Sequence, residues 1–332
     1  MCHESDARGD TKRVYDRAMR RLTIAILLFA GTGAGCGGGD GDGGNYGPWR
    51  VHASPGTFGL TALWAFAPND VWVGSNIILH YDGNAFTAVT TPAPTGFVTD
   101  FLGFAPDDLY ATSDIDLLHW DGAAWSVIDT GGAIAPTELT SIWGTSGGDL
   151  WLGDSQNGRV FHWDGALWST GITQTVSVED LWGVGGGPVF AGGTFGLSRF
   201  TGGSWTDFAD SAVANEATAL WGFGPADIWA ASDFGTLAHW DGTWTDTVPA
   251  DDPDFDVGIK SLWGAAPNDV WAVGDGGAIS RWNGARWSQA QVGKFPFYPF
   301  LNKVHGSSAS DVWAVGLSSD GNNTGVILHY EP

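Results

Sequence analysis

The feature that most constrains this 332-residue chain is a tryptophan-rich motif that recurs about every forty residues. All twenty tryptophans fall in one of its four aromatic positions, which we name W1 to W4 in chain order. The clearest copy, LWGAAPNDVWAVGDGGAISRWNGARW, spans residues 262–287, with Trp263, Trp271, Trp282 and Trp287 at W1 to W4. A fixed period in this range indicates a repeat architecture, so it constrains the fold class before any other argument.

The motif occurs seven times and predicts β-structure throughout. The aspartate that opens the DVW phrase recurs at intervals of 38–42 residues, at Asp70, Asp108, Asp149, Asp227, Asp269 and Asp311, with Pro188 in its place in one degenerate copy. Each copy has four short runs rich in Val, Ile, Leu and Trp, separated by turn-forming residues, which predicts four strands, A to D. Seven such units predict an all-β, seven-bladed β-propeller with four antiparallel strands per blade.

The turns of the motif predict how each blade is connected. The A–B connection contains Pro-Asn-Asp or a variant of it, and the C–D connection contains Asp-Gly, as in Asp82-Gly83 and Asp164-Gly165. We expect the C–D connection to be a two-residue hairpin, in which Gly supplies the positive φ. The A–B and C–D turns then lie at one end of each blade. The B–C and D–A loops, which vary in length, lie at the other.

The two chain ends predict how the ring closes. The last copy ends after a C-strand run, VILHY, and lacks a fourth strand. At the other end, Gly47-Pro48-Trp49-Arg50-Val51 resembles an isolated D strand, with Trp49 at W4. We therefore expect the propeller to span residues 48–332 and the N-terminal strand to complete the last blade, which would bury both sheet edges.

The N-terminal segment predicts export and lipid anchoring. Arg20 and Arg21 precede an apolar run, residues 22–30, which is too short to span a bilayer and is typical of a signal peptide. We assign residues 1–35 to this signal, with Met19 as an alternative start. Gly33-Ala34-Gly35-Cys36 resembles a bacterial lipobox, although Gly33 replaces the usual Leu, and this implies lipidation at Cys36; ordinary cleavage nearby is the alternative. Residues 36–47 form a Gly-rich tether. The expected location is the bacterial cell envelope, at the outer membrane or cell surface, or the secreted fraction.

The repeat resembles those of several propeller families. Asp164-Gly165-Ala166-Leu167-Trp168 resembles a shortened Asp-box of sialidase-type and photosystem assembly-factor-like propellers. Residues 270–274 followed by 279–282 resemble tectonin-type lectin repeats. Overall the repeat is similar to those of large secreted proteins of myxobacteria. These resemblances imply the fold, whereas propellers have many unrelated functions.

Charge narrows the expected partners. The chain has 14 basic and 37 acidic residues, of which 6 and 4 precede Cys36, so the remainder has 8 and 33 and a net charge of −25. Such a surface repels nucleic acid and anionic lipid headgroups. We expect no nucleic-acid binding, membrane contact only through the lipid, and a monomer. Cys2 lies in the removed segment, so no disulfide is expected.

The sequence contains no motif of a catalytic or metal site, so we expect a non-enzyme without a cofactor or metal. One C-strand position holds His80, His119, His162, His239 and His329, with Arg199 and Arg281 in two copies, and we interpret it as structural because these residues spread around the ring. The Asp-box resemblance leaves a glycosidase-like hydrolase as an alternative. That chemistry needs an arginine cluster, and only five arginines follow residue 35.

Three long loops around the last two blades are the predicted binding face, because variable loops on a rigid scaffold are where function usually resides. They are residues 245–260, 288–303 and 317–325. The candidate residues are Asp251, Asp252, Asp254, Asp256, Phe295, Phe297, Tyr298, Phe300, Asp320 and Asn322. The aspartate run leaves calcium binding open, with a solvated loop as the alternative. The leading functional hypothesis is a binding or scaffolding module for a protein partner, and the alternative is a glycan-binding lectin.

Overall fold

The computed structural model describes residues 48–55, 58–92, 96–114, 116–134, 138–208, 213, 215–248, 257–290, 299–319 and 321–332. The predicted signal peptide, Cys36 and the tether lie outside these residues. The described chain forms 28 β-strands and one 3-10 turn, Asp275–Gly277, without an α-helix. In this part of the chain no helix has the length and apolar character needed to cross a membrane.

The strands form seven antiparallel four-stranded sheets, the blades of the propeller. Blade 1 consists of β2 (Ala62–Ala67), β3 (Asp70–Gly74), β4 (Ile78–Tyr81) and β5 (Phe86–Val89). Blade 2 consists of β6 (Val98–Ala105), β7 (Asp108–Ser113), β8 (Leu117–Trp120) and β9 (Trp125–Val127). Blade 3 consists of β10 (Leu139–Ser146), β11 (Asp149–Asp154), β12 (Arg159–Trp163) and β13 (Trp168–Ile172). Blade 4 consists of β14 (Asp180–Gly183), β15 (Val189–Gly193), β16 (Gly196–Thr201) and β17 (Ser204–Asp207). Blade 5 consists of β18 (Ala219–Gly224), β19 (Asp227–Ala231), β20 (Leu237–Trp240) and β21 (Trp244–Asp246). Blade 6 consists of β22 (Ile259–Ala266), β23 (Asp269–Gly274), β24 (Ile279–Trp282) and β25 (Trp287–Gln289). Blade 7 consists of β26 (Phe300–Ser308), β27 (Asp311–Leu317), β28 (Gly325–Tyr330) and the N-terminal strand β1 (Trp49–His52).

The A strands form a closed inner ring, because each contacts the A strands of the two neighbouring blades, and β26 of blade 7 contacts β2 of blade 1. The last blade closes as predicted. Its strand order is β26-β27-β28-β1, and Trp49 pairs with Tyr330 as each W4 residue pairs with W3 of its own blade. The seven-bladed, four-stranded architecture predicted from the repeat is therefore confirmed.

The tryptophans hold neighbouring blades together. The W2 ring of one blade contacts the W3 and W4 rings of the next: Trp72 lies 5.0 Å from Trp120 and 5.7 Å from Trp125, in a T-shaped arrangement with the latter. At the closing junction Trp271 makes the same contacts with Tyr330, at 4.8 Å, and with Trp49, at 5.5 Å. Large aromatic pairs at these distances stabilise beyond the apolar area they bury. The core is therefore a ring of aromatic contacts between sheets.

The glycine that follows W1 leaves space for the W1 ring of the preceding blade. A Cβ placed on Gly183 would lie 2.8–2.9 Å from the Trp143 ring, and one on Gly222 would lie 2.6 Å from the Trp182 ring. Trp263 has the same relation to Gly306. The W1 rings Trp143, Trp182 and Trp263 thus pack against the neighbouring inner strand because that strand lacks a side chain there.

The C–D connections differ from the predicted two-residue hairpins. In blade 1 Tyr81 pairs with Phe86, which leaves the four residues 82–85 in the turn. Asp82 Oδ1 accepts hydrogen bonds from the N–H groups of Asn84 and Ala85, at 2.9 and 3.1 Å, and Gly83 has a φ of +89°. The aspartate side chain thus caps a longer turn by hydrogen bonding to its backbone. Gly202-Gly203, between the paired Thr201 and Ser204, is a two-residue turn.

The repeated histidines are structural, as interpreted from the sequence. In blade 7 His329 Nε2 lies 2.6 Å from Asp311 Oδ1, and its ring stacks on Trp313 at 3.7 Å. The equivalent pairs are His80–Asp70, His119–Asp108, His162–Asp149 and His239–Asp227, at 2.7–2.8 Å. Blade 6 replaces histidine by Arg281, which binds both carboxylate oxygens of Asp269 at 2.6 and 2.9 Å. In every blade but blade 4, the aspartate that begins the B strand is therefore a pairing partner as well as a turn residue.

Candidate functional site

The two ends of the propeller differ in their connections. A Cβ on Gly83 of the C–D turn would lie 2.8 Å from Asn69 of the A–B turn, and Gly122 has the same relation to Asp107. These turns therefore meet at one end, which we call the turn face. The B–C and D–A connections lie at the opposite end, which we call the loop face. This arrangement agrees with the one expected from the sequence.

Exposed aromatic side chains are concentrated on the loop face. Five phenylalanines of the D–A and B–C connections or the adjoining strand ends are exposed: Phe58 (60%), Phe97 (53%), Phe195 (63%), Phe234 (61%) and Phe300 (40%). Among the described residues of the turn face, the one large apolar side chain that is exposed is Leu167, at 72%. Exposed apolar side chains grouped on one face of a soluble domain indicate a contact surface.

Phe195 is held outward by an unusual backbone conformation. Its φ is +73°, in the left-handed region that residues other than glycine rarely adopt. Its N–H donates to the Asn215 carbonyl at 2.9 Å, and Thr194 forms a β-bridge with Glu216. Contacts with the adjoining D–A loop thus stabilise a conformation that costs about 1–3 kcal/mol.

An acidic cluster lies on the same face across blades 4 to 6. It consists of Glu179, Glu216, Asp233 and Asp275 with one lysine, Lys260, whose Nζ lies 2.6 Å from Asp233 Oδ2. Burial raises the pKa of Glu216, and the Asp233 carboxylate raises it further. Burial also raises the pKa of Asp275; Lys260 opposes this shift and Asp233 adds to it. Four carboxylates with one cation leave this surface negative, next to Phe195 and Phe234.

Two of the ten predicted binding residues are described. Phe300 is the first residue of β26 and is exposed, and Asn322 is exposed in the B–C loop of blade 7, so both lie at the loop-face end of that blade. Asp251, Asp252, Asp254, Asp256, Phe295, Phe297, Tyr298 and Asp320 lie outside the described residues. The calcium hypothesis for the aspartate run therefore stays a prediction.

The predicted loop 288–303 ends earlier than expected. β26 begins at Phe300, so Lys303 belongs to an inner strand instead of a loop. Its place in the repeat, two residues before W1, is named the channel position, because four of the residues at this place line the central channel: Asp100, Asp180, Ser261 and Lys303. The seven residues there, in blade order, are Ala62, Asp100, Ser141, Asp180, Ala219, Ser261 and Lys303.

Polar side chains at this channel position link different inner strands. The edge of each A strand that faces the channel has backbone N–H groups without a strand partner. Asp180 Oδ2 accepts the N–H of Leu220, at 2.8 Å. Ser261 Oγ accepts the N–H of Val304 in the same way, at 3.2 Å. Lys303 reaches across to Asp100, with Nζ 2.7 Å from Oδ1.

These strands enclose a central cavity of about 340 Å³. Its lining includes Asp100, Asp180 and Lys303 at the channel position and the W1 rings Trp64, Trp143, Trp182 and Trp221. Blade 7 has His305 at W1, which stacks on Trp64 at 4.3 Å and accepts the Ala65 N–H at Nδ1. Burial, together with the nearby Lys303, lowers the pKa of His305 to about 3, so this imidazole is neutral.

The described residues offer little for catalysis or metal binding. No group of three or more His, Cys, Asp or Glu side chains within them could hold a metal ion. Arg159, Arg199 and Arg281 lie on the C strands of three different blades. Arg159 pairs with Asp154, Arg281 pairs with Asp269, and Arg199 lies over the Phe208 ring at 4.8 Å. These arginines do not form the cluster that glycosidase-like chemistry of the sialidase type requires.

Comparison with known proteins supports the fold alone. No protein-family model matches the chain, and no curated protein matches it. Many solved structures do. YCF48 bound to D1 peptide is 19% identical with a TM-score of 0.65, over 87% of this chain and 98% of that one. Virginiamycin B lyase from Staphylococcus aureus is 12% identical with a TM-score of 0.68, over 85% and 98%. U3-55K is 13% identical with a TM-score of 0.70, over 87% and 100%. The chain is thus a seven-bladed β-propeller similar in fold to both binding proteins and lyases.

Proposed function

We propose that this protein is a non-catalytic binding module that presents its loop face to a polypeptide partner with basic and aromatic residues. The observation that carries the proposal is the asymmetry between the two ends of the ring. Phenylalanines are exposed on the loop face, while the turn face consists of capped polar turns. Exposed aromatic groups on rigid strands and short turns are typical anchors of protein interfaces.

The acidic cluster defines the charge of the partner. Glu179, Glu216, Asp233 and Asp275 surround Lys260 beside Phe195 and Phe234, so lysine or arginine side chains of a partner would complement this surface. The similar fold of YCF48, whose structure holds a D1 peptide, is consistent with a peptide-binding role. The phenylalanines occupy loops of two kinds and do not form one equivalent pocket per blade, which favours a protein partner over a glycan.

Selection from a displayed random-peptide library tests this function. We expect peptides enriched in Lys, Arg and aromatic residues to bind the wild-type protein. The double variant F195S/F234S should lose at least about tenfold in affinity, because two exposed aromatic anchors beside the acidic cluster are removed. The matched control is Leu167→Ser, which removes an equally exposed apolar side chain from the turn face and should bind as the wild type does.

Two results would contradict the proposal. One is a set of peptides that bind the double variant and the wild type equally. The other is glycan-array binding that survives F195S/F234S while no peptide is selected, which would favour the lectin alternative.

We further propose that the propeller is held at the cell envelope by a lipid on Cys36. The support is the sequence Gly33-Ala34-Gly35-Cys36 after a short apolar run. Cys36→Ala is expected to release the protein from membranes or to block its processing, as seen by fractionation and mass. A Cys36→Ala protein with wild-type membrane association and mass would show that another feature determines its location.

A further inference from the structure

The central cavity has one carboxylate that no side chain neutralises. Lys303 lies 2.7 Å from Asp100 and balances its charge. Asp180 accepts the backbone N–H groups of Leu181, at 3.0 Å, and Leu220, at 2.8 Å, and has no basic side chain within 4.0 Å among the described residues. Burial raises the pKa of Asp180 to about 6; Lys303 opposes this shift and Asp100 adds to it. At neutral pH the cavity therefore has a net charge of about −1.

The walls beside this carboxylate are aromatic. Trp182 lies two residues after Asp180 on β14, and Trp143 and Trp221 line the cavity from the inner strands of the two neighbouring blades. The faces of indole rings attract organic cations, most strongly where water is excluded. His305 adds no positive charge to oppose such a ligand, because it is neutral.

We propose that the central cavity binds a monovalent organic cation, an ammonium or guanidinium group on an apolar chain. The head group would lie at Asp180, and the chain would lie between Trp143, Trp182 and Trp221. The volume of about 340 Å³ suits a ligand the size of one long side chain. An inorganic cation would gain little from these apolar walls. The lining also reaches Phe104 and Thr145, close to the A–B turns, so this site is separate from the loop-face phenylalanines.

Calorimetric titration of the full chain tests this site with four probes. They are butylamine, Nα-acetyl-lysine amide, Nα-acetyl-arginine amide and the neutral Nα-acetyl-norleucine amide. We expect at least one cation to bind and the neutral probe not to bind. Tighter binding of butylamine would indicate a free amine as the natural ligand, and tighter binding of either amino-acid amide would indicate a side chain of a polypeptide.

Asp180→Asn provides the test at the residue. Asn keeps an oxygen that can accept the Leu220 N–H but removes the charge, so cation affinity should fall at least about tenfold. In the wild type, affinity should fall about tenfold between pH 7.5 and 5 as Asp180 is protonated. The charged groups that act on Asp180 are Lys303 and Asp100. The two neighbouring blades have Ser141 and Ala219 at the channel position, and neither side chain titrates.

The loop-face variant F195S/F234S should keep cation binding, and Asp180→Asn should keep peptide binding, so failure at one site is distinguishable from failure at the other. The proposal is overturned if no cation binds, if the neutral probe binds as tightly, or if Asp180→Asn, with the thermal stability of the wild type, binds cations unchanged.

Discussion

Each aspartate–histidine pair links two strands of a blade and supports the W2 tryptophan. In blade 7 the pair is buried: the Asp311 and His329 side chains are 4% and 3% exposed, and Asp311 also accepts the Trp313 indole N–H at 3.0 Å. The Asp70 and His80 side chains of blade 1 are 21% and 29% exposed. Since solvent weakens an ion pair, the same interaction should contribute more in blade 7 than in blade 1.

We predict that Asp311→Asn lowers the free energy of unfolding by about 1–3 kcal/mol at pH 7, because it weakens a buried, charge-assisted network. Asp70→Asn, the matched change at a pair that is more exposed to solvent, should cost less than about 1 kcal/mol. Denaturant unfolding measures both. Equal losses would show that burial does not set the contribution of the pair.

The difference between wild type and Asp311→Asn should also depend on pH. Burial opposes ionisation of Asp311, but hydrogen bonds from His329, Ser307 and Trp313 outweigh it and lower its pKa below the usual 3.8. A carboxyl group with a lowered pKa stabilises the folded state above its unfolded pKa, and this stabilisation is lost as pH falls through the folded value. The gap should therefore be largest near neutral pH and shrink below pH 3.8.

At the scale of the strand, the inner-strand glycines set the distance between blades. The Trp143 ring of blade 3 lies 2.8–2.9 Å from the Cβ position of Gly183, on the inner strand of blade 4, and an indole ring is rigid. Gly224, at the end of β18, has no atom within 4 Å of its Cβ position. Substituting alanine for a glycine of each kind therefore compares a methyl group that overlaps a ring with one that meets no other atom.

Gly183→Ala should destabilise the protein by about 1–3 kcal/mol, because the new methyl group overlaps the Trp143 ring. Gly224→Ala should change stability by less than about 0.5 kcal/mol. Thermal unfolding of the two variants gives the comparison. A Gly183→Ala protein as stable as Gly224→Ala would mean that the blades can separate without loss of core packing.

The sequence predicted the strands well because every repeat has the same pattern of turn residues and aromatic residues. Seven copies of this pattern make the strand assignment more certain than one copy would. It did not predict the length of the C–D turns, since the hydrogen bonds of Asp82 to two N–H groups are decided by backbone geometry that Asp-Gly alone does not specify. Pairing of the DVW aspartate with the C-strand histidine could have been found: the copy with Pro188 also lacks the histidine and has Arg199.

At the scale of the whole molecule, one short strand closes the ring. β1 pairs with β28 from Trp49↔Tyr330 to His52↔Ile327, and Glu331 N–H donates to the Pro48 carbonyl at 2.9 Å. Trp49 is 1% exposed and fills the W4 position against Trp271 of blade 6. The first and last strands of the propeller therefore lie side by side in one sheet.

Deleting residues 48–53 should abolish cooperative unfolding and promote aggregation, because it exposes the β28 edge and the Trp271 ring. A six-residue deletion in the glycine-rich segment, residues 38–43, is the control and should melt as the parent does. If both deletions melt alike, β1 does not close the ring.

The candidate functional surfaces were less predictable than the fold because they depend on departures from the repeat. The sequence placed its candidate binding residues at the loop-face end of the ring, and Phe300 lies at that end. It missed Phe195 and Phe234, which stand in short turns that length variation does not mark. The signal for the cavity was available in the series Ala62, Asp100, Ser141, Asp180, Ala219, Ser261 and Lys303, where one repeat position changes from apolar to charged. The sequence does not show that Asp100, Asp180, Ser261 and Lys303 line one cavity.

Hydrogen–deuterium exchange of the full chain, with and without a selected basic peptide, tests whether the loop face is the binding surface. We expect protection of backbone amides in the loop-face connections of blades 4 and 5, residues 193–197, 215–218 and 232–236. The C–D turns of the same blades should exchange unchanged. Protection confined to the turn face, for instance at residues 164–168, or a bound peptide that leaves residues 193–197 and 232–236 unprotected, would contradict the assignment of the loop face as the binding surface.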